Sequence, residues 1–257
     1  MDCAMLRIEG LSRPFGGVYA VRNVSVDVAD GELRGIIGPN GAGKSTLFNL
    51  ISGHLRPTQG RITLRSERIE GLSAHERARR GIAIVFQGAR IFRGMTVREN
   101  VMVGAHARTR HGFLDAALRT PLHKREEREI RQSTDAALER VGLADWADRY
   151  AEALPLGQQR TMQVARALCG EPALLLLDEP ASGLRARERH ELARLIEGLR
   201  GGGLTIMLIE HDVQFVSNLA DRLTVLNLGE ILAEGAPEEI RRNDDVITAY
   251  LGREPAP

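Results

Sequence analysis

Gly38-Pro39-Asn40-Gly41-Ala42-Gly43-Lys44-Ser45-Thr46 fits the pattern G-x-x-x-x-G-K-[ST]. Leu33-Arg34-Gly35-Ile36-Ile37 precedes it, short and apolar enough for a buried strand, and Leu47-Phe48-Asn49-Leu50-Ile51 follows with the look of a helix start. Strand, glycine-rich loop and helix in this order make a phosphate-binding loop. The glycines allow tight turns that aim successive N–H groups at a polyphosphate, and the helix N-terminus adds partial positive charge. Lys44 supplies a point charge for the β- and γ-phosphates, and the Ser45 hydroxyl can ligate Mg²⁺. Of the 35 Lys plus Arg residues only Lys44 and Lys124 are lysine. A chain that otherwise uses Arg keeps Lys at the position where a compact ammonium fits between phosphates and a planar guanidinium does not.

The rest of the composition narrows the class. A length of 257 residues suggests one or two domains with ample core. No apolar run approaches the roughly 20 residues a membrane-spanning helix needs. The N-terminus lacks the basic-then-apolar pattern of a secretory signal. Cys3 and Cys169 are the only cysteines, which points to a reducing cytosol and no disulfide framework. A net charge of +1 with 4% aromatics argues against a nucleic-acid partner. Any meeting with a membrane is therefore expected through a protein partner.

Along the chain, strands are expected at Met5 to Glu9, across Val21, Val24, Val26 and Val28, at Leu33 to Ile37, at Arg61 to Leu64 after a turn at 57–60, and at Ile82 to Phe86. Ser73 to Arg80 reads as a short polar helix. From about Thr96 to Ala153 the chain reads as helix, with Ile130, Thr134, Ala137, Leu138 and Val141 at core-facing spacing. Its Arg- and His-rich part, Gly104 to Arg131, reads as a solvated face, with contact to a partner as the alternative. Strands return at Ala173 to Leu177 and Leu204 to Ile209, with a helix between them at Arg187 to Arg200. A hairpin around Gly229 and a closing helix from Glu238 to Leu251 end the pattern. Alternating strands and helices imply a mainly parallel sheet whose functional residues stand at the carboxyl ends of the strands.

Three such ends carry polar groups. Asp178-Glu179 follows an all-leucine run, and two carboxylates after a buried strand are costly without a partner. A Mg²⁺ bound to nucleotide explains Asp178, while Glu179 can orient or deprotonate an attacking water; a helix N-cap pair is the plainer reading of the same residues. Gln87 can touch Mg²⁺ or that water without adding charge, though Gln at a strand end is commonly surface. His211 can hydrogen-bond a γ-phosphate oxygen, though a lone His is more often structural.

The order of these elements is more informative than any one of them. Phosphate loop, Gln87, helical block, Leu154-Pro155-Leu156-Gly157-Gln158-Gln159-Arg160, Leu174 to Pro180 and His211 together resemble the ATP-binding cassette (ABC) ATPases across almost the whole chain. Phe15-Gly16-Gly17, Leu47-Phe48-Asn49, the insert after Val103-Gly104-Ala105-His106, the L-P-x-G-Q-Q-R signature and Ala249-Tyr250-Leu251-Gly252 resemble one subgroup. This is the ATP-binding subunit of branched-chain (hydrophobic) amino acid importers, of the type with the longer helical insert. The resemblance implies an α/β P-loop NTPase core (1–87 and 160–257) with an N-terminal antiparallel β subdomain and an inserted helical subdomain (88–159). It implies that Phe15 stacks on adenine with Val21 beside it and that Gly38, Pro39, Asn40, Gly41, Ala42, Gly43, Lys44, Ser45 and Thr46 hold the phosphates of ATP. Ser45, Gln87 and Asp178 would serve Mg²⁺, with Glu179 as catalytic base and His211 on the γ-phosphate. Gly88 to Phe92 would face a membrane subunit. Leu154, Pro155, Leu156, Gly157 and Gln158 would complete the ATP site of a second cassette, sister or self, paired head to tail. Two permease subunits, and through them a substrate-binding protein, complete the implied assembly on the cytoplasmic face of the membrane.

Two departures stand out. Pro155 replaces the usual serine of the signature, removing a hydroxyl and an N–H, so the site it completes is expected to close less tightly. After Ser182-Gly183-Leu184 comes Arg185 where many cassettes have Asp, which puts cross-dimer signalling by that carboxylate in doubt. The alternative reading is a soluble ABC ATPase uncoupled from transport. One cassette without basic bias disfavours a nucleic-acid role, and a signature in place of an acceptor site disfavours a small kinase.

Overall fold

In the computed structural model the described residues are 4–88, 90–108 and 121–251. Cys3, Ala89, positions 109–120 of the Arg- and His-rich run, and the end of the chain from Gly252 lie outside them. Strands β1 (Leu6–Phe15), β2 (Val18–Val28), β4 (Gln59–Leu64) and β5 (Glu67–Arg68) form an antiparallel sheet in the order β2-β1-β4-β5. The larger sheet contains β3 (Leu33–Ile37), β6 (Ile82–Val85), β7 (Leu174–Asp178), β8 (Thr205–Ile209), β9 (Arg222–Asn227) and β10 (Glu230–Gly235). Its order is β10-β9-β3-β8-β7-β6, with every pair parallel except β9–β10.

The central strands are covered on both faces, which is why they read as continuous apolar runs. Leu175, Leu177, Ile206 and Leu208 enter one buried cluster together with the helical region. Leu174, Leu176, Met207 and Ile209 enter a second, with the antiparallel sheet and helix α1 (Lys44–Ser52). Leu47, Phe48, Leu50 and Ile51 of α1 are fully buried there. Each contributes about 1.5–3 kcal/mol by leaving water, and together they fix the helix that closes the phosphate loop.

Helix α2 (Ala74–Arg79) starts at the Ser73 capping box but is polar only in part. Arg77 is completely buried, donating to the carbonyls of Leu50, Ile51, Glu70 and Leu72, and so closes off the end of α1. Burial pushes its guanidinium pKa down.

The expected helical block is interrupted. Helices α3 (Val97–Met102) and α4 (Pro121–Arg140) form, but 142–153 is turn and 3₁₀ structure, entered through Gly142 at φ 72° and tied back by a Thr96–Tyr150 bridge. Thr134, Ala137 and Leu138 are buried as their spacing indicates. Helix α5 (Leu156–Cys169) runs unbroken across position 159. It is followed, after β7, by α6 (Ala186–Gly201) and, after β8, by α7 (Val213–Leu219), a helix too short to show periodicity and announced only by its Asp212 cap.

Other boundaries move for local reasons. The first strand continues to Phe15, and Gln59 and Gly60 belong to β4 rather than to a turn. Ile82 and Val85 are buried but Ala83 and Ile84 only half so, because β6 is an edge strand. The closing helix is two, α8 (Pro237–Arg241) and α9 (Asp244–Leu251), because the Asn243 side chain accepts from the N–H groups of Asp245 and Val246 and starts a new helix. No helix among the described residues is long and apolar enough to cross a membrane.

Candidate functional site

The loop between β3 and α1 is built on close approaches. A Cβ at Gly38 would lie 2.1 Å from the Leu226 carbonyl oxygen, and one at Gly43 would lie 2.1 Å from that of Ala20. Both residues also have positive φ, so no other residue type fits. Gly43 offers no side-chain cap to α1, which leaves first-turn N–H groups for an anion. Lys44 is 5% exposed, and its Nζ donates to the Gly38 carbonyl at 2.7 Å and the Pro39 carbonyl at 3.0 Å. The ammonium is thus held inside the loop by the loop's own oxygens. Asn40, Gly41 and Ser45 are exposed, Thr46 is half-buried, and Ala42 is buried.

Parallel pairing brings the strand ends together. Asp178 lies beside Ile209, and the Glu179 N–H donates to the Ile209 carbonyl at 2.9 Å. Glu179 has φ 49°, a left-handed conformation that costs a non-glycine residue on the order of 1–3 kcal/mol. Glu179 is 7% exposed, and it meets two neighbours: Gln87 Nε2 donates to Oε2 at 2.6 Å, and His211 Nε2 is 2.5 Å from Oε1. The Ser45 hydroxyl is 3.5 Å from Asp178 Oδ1. Burial first, and then the Glu179 charge, push the Asp178 carboxyl up from its ordinary range; Ser45 and Lys44 oppose this.

This donor set can be tested against Mg²⁺. Among the described residues no group of three or more His, Cys, Asp or Glu side chains could hold a metal alone. A hydroxyl, an amide and one carboxylate suit a small hard cation that takes its remaining ligands from phosphate and water. Asp178, whose carboxyl is pushed up by burial and then by the adjacent Glu179 charge, is the kind of group such a cation relieves, so the residues fit.

At the tip of the antiparallel sheet Phe15 is 46% exposed, beneath the Arg13 guanidinium at 5.1 Å. Val21 is fully buried and presents no surface to a ligand; it supports the hairpin from within. Exposed apolar surface beside Phe15 comes instead from Val18 and Tyr19, which a search for alternating core valines passes over.

The signature segment is a second helix start. Leu154 is buried, Pro155 is the N-cap of α5 with no side-chain hydrogen bond, and Leu156 is 41% exposed. Gln159 donates from its backbone to Pro155 and from its side chain to the Leu154 carbonyl, which fixes the entry to the helix. Gln158 Oε1 is buried without a hydrogen-bond partner. A separate cleft of about 240 Å³ opens between the β6 end and α5, lined by His54, Phe86, Arg90, Gln163 and Arg166. Burial, and then Arg77 and Arg90, lower the His54 pKa.

Comparison with known proteins places this geometry. The family described as "ABC transporter" matches residues 21–182, and the one described as "Branched-chain amino acid ATP-binding cassette transporter" matches residues 230–256. The "High-affinity branched-chain amino acid transport ATP-binding protein LivG" of Salmonella typhimurium is 46% identical over 253 residues, covering 98% of this chain and 99% of the relative. The corresponding protein BraF of Pseudomonas aeruginosa is 43% identical over 98% and 99%. Among solved structures, the ADP conformation of an ATP-binding cassette of an ABC transporter superposes with TM-score 0.85 at 31% identity, over 97% of this chain and 99% of that one. A nucleotide-free cassette gives 0.84 at 32%, over 96% and 98%.

Proposed function

This chain belongs to the ABC transporter family, among the ATP-binding proteins of branched-chain amino acid transport, and from that premise we propose how its residues couple ATP hydrolysis to import. It is an ATPase whose hydrolysis of ATP is coupled to transport. The cargo is branched-chain or other hydrophobic amino acids. The unit is one nucleotide-binding domain, with 88–159 inserted into its core.

The N–H groups of residues 38–46 and the Lys44 ammonium hold the phosphates, and Lys44 exchanges its two loop carbonyls for phosphate oxygens. Phe15 offers a ring face to adenine. Ser45, Gln87 and Asp178 are the residues that would hold Mg²⁺, which when bound offsets phosphate charge. Glu179, pinned between Gln87 and His211, takes the proton of the attacking water. His211 is left to donate to the phosphoryl oxygens once Glu179 turns to the water.

Residues 154–158 complete the ATP site of a second cassette, sister or self, head to tail. Their uncapped helix start and the exposed Leu156 support that reading. The cleft lined by Phe86 and Arg90 receives a permease loop on the cytoplasmic face of the membrane; two permeases pass the motion toward a substrate-binding protein.

The observation that carries the catalytic reading is the convergence of Gln87 and His211, each from its own strand end, on the Glu179 carboxylate. Glu179→Gln tests it. Hydrolysis is expected to fall about 100- to 10,000-fold while ATP binding persists. Purified from solubilised native membranes with Mg-ATP, the variant should bring two multi-spanning proteins and a second cassette. Unchanged hydrolysis would remove Glu179 from its role, and recovery of soluble partners alone would remove the transporter.

A further inference from the structure

Two buried charges lie outside the machinery described so far. Arg160, at the start of the second turn of α5, is 6% exposed, and its Nε and Nη1 have no hydrogen-bond partner. Glu210, one residue past β8 and next to His211, is 4% exposed. A single loop separates them, the one that leaves Glu179 and leads to α6. Arg160 Nη2 donates to the Ser182 carbonyl at 3.3 Å, and the Ala181 N–H donates to Glu210 Oε1 at 2.6 Å. Two adjacent residues of one turn are thus held by opposite charges from two different elements. The turn is itself closed by Ser182 N–H to Glu179 O at 3.2 Å and Leu184 N–H to Ala181 O at 3.2 Å.

The same loop is fastened at its far end. Gly157 of the signature has no side chain, and a Cβ there would lie 2.9 Å from Glu188 Oε1; the other Glu188 oxygen accepts from the Arg185 N–H at 2.8 Å. Arg189 donates to Asp212 Oδ2 at 2.9 Å, and Asp212 caps α7. Residues 179–189 are therefore bonded once to the signature helix, where Gly157 also packs close against Glu188, and three times to the segment 210–212, through Glu179–His211, Ala181–Glu210 and Arg189–Asp212.

We propose that Arg160 and Glu210 clamp the Ala181–Ser182 turn between them, so that the signature loop of this cassette and its own Glu179–His211 pair move as one body. The inference rests on the reading of Glu179 and of the signature loop given above. It assigns a path between two ATP sites through one subunit: the signature serves the partner's nucleotide, and Glu179 serves its own. The path uses no carboxylate at position 185, where this chain has Arg. Arg160 and Glu210 are positioning residues and touch no substrate. Glu210 feels burial first and the Glu179 charge as well, both of which push its carboxyl up, while the Ala181 and His211 backbone bonds oppose them. Arg160 feels the Glu210 charge against its own desolvation. Neither charge is replaceable by simple packing, because removing one leaves the other buried and uncompensated.

The test is a double-mutant cycle on the purified full-length chain with Mg-ATP. Arg160→Met and Glu210→Gln keep length and shape and remove charge. Each is expected to lower kcat about 10-fold, since small misplacements of reacting groups are costly, with the ATP KM within about twofold and the cooperativity in ATP reduced. The double variant should be no slower than the slower single. Losses that multiply in the double variant, or a KM that rises in step with the fall in kcat, overturn the clamp. If Arg160→Met gives no soluble protein, Arg160→Lys retains the charge but loses the Ser182 contact; a smaller kcat loss at constant KM is expected, and none overturns the proposal. Glu179→Gln run alongside separates the two readings. If it silences hydrolysis while the clamp variants match wild type, the clamp alone fails; if it does not, the catalytic assignment fails first.

Discussion

Two helix N-termini in this molecule lack a side-chain cap where function is proposed, those of α1 at Gly43 and α5 at Pro155. Elsewhere the side-chain oxygens of Ser73, Thr96 and Asp212 accept hydrogen bonds from first-turn N–H groups of their helices, while α6 at Arg185 and α8 at Ala236 also start without a side-chain cap. An uncapped start leaves donors for an outside anion. The two sites differ in what surrounds them. Around α1 the chain supplies a buried ammonium, a hydroxyl and the strand-end carboxylates. Around α5 it supplies an exposed leucine, a glycine and a glutamine oxygen without a partner. On the proposed reading the first makes this chain's own contacts to nucleotide, and the second closes the nucleotide site of a partner. Binding should therefore reside in the first and cooperation between chains in the second.

The strongest way to break that contrast is to damage each start separately. Lys44→Met removes charged hydrogen bonds worth roughly 1.5–3 kcal/mol, so ATP affinity should drop about 100-fold by calorimetry. Retained affinity would mean that the glycine loop alone holds the phosphates. Gly157→Asp places a negative charge at the α5 start, against any phosphate brought there. Hydrolysis should fall about 30-fold with ATP affinity of the single chain unchanged. A matching loss of affinity would show that the two starts are not separate sites.

The contrast was legible in sequence to an unequal degree. The glycine loop between β3 and α1 could be read outright because the local chain makes it: glycines needed for close approach, the lone lysine of its region, an apolar strand before and an apolar helix after. The carboxylates at 178 and 179 were legible because an all-leucine strand ends in charge. The grip of Gln87 and His211 on Glu179 was not, since it depends on which strands are neighbours in the sheet. Arg77, Arg160 and Glu210 were also hidden, because nothing local distinguishes a buried charged residue from an exposed one in so arginine-rich a chain. The broken block at 142–153 and the divided final helix were missed for a simpler reason: Gly142 and Asn243 act through backbone conformation and capping, which override helical composition.

Asp178 sharpens the first half of the comparison. Its folded pKa is raised, by burial first and then by Glu179. The folded chain thus holds more proton than the unfolded chain between the ordinary Asp pKa and the raised one. Stability from this group falls as pH rises through that window and stays low above it. Asp178→Asn should therefore raise the melting temperature of the nucleotide-free protein at pH 8, with the gain shrinking toward pH 4, while hydrolysis is lost. A gain independent of pH would assign the effect to packing.

The smallest effect belongs to Pro155. At the N-cap it lacks a hydroxyl, and the first-turn N–H groups behind it stay open. Pro155→Ser adds an oxygen that can act in two ways. Turned back, it caps α5 and raises helix stability by about 0.5–2 kcal/mol, using up donors a phosphate would need. Turned outward, its O–H donates to a phosphate oxygen of the partner's nucleotide. A charged acceptor favours the second, since such bonds are the stronger ones. ATP-driven pairing of Glu179→Gln chains should then tighten about fivefold, as read by sedimentation. Weaker pairing with a higher melting temperature would mean that the serine caps its own helix, and that the proline keeps this half-site open for the phosphate.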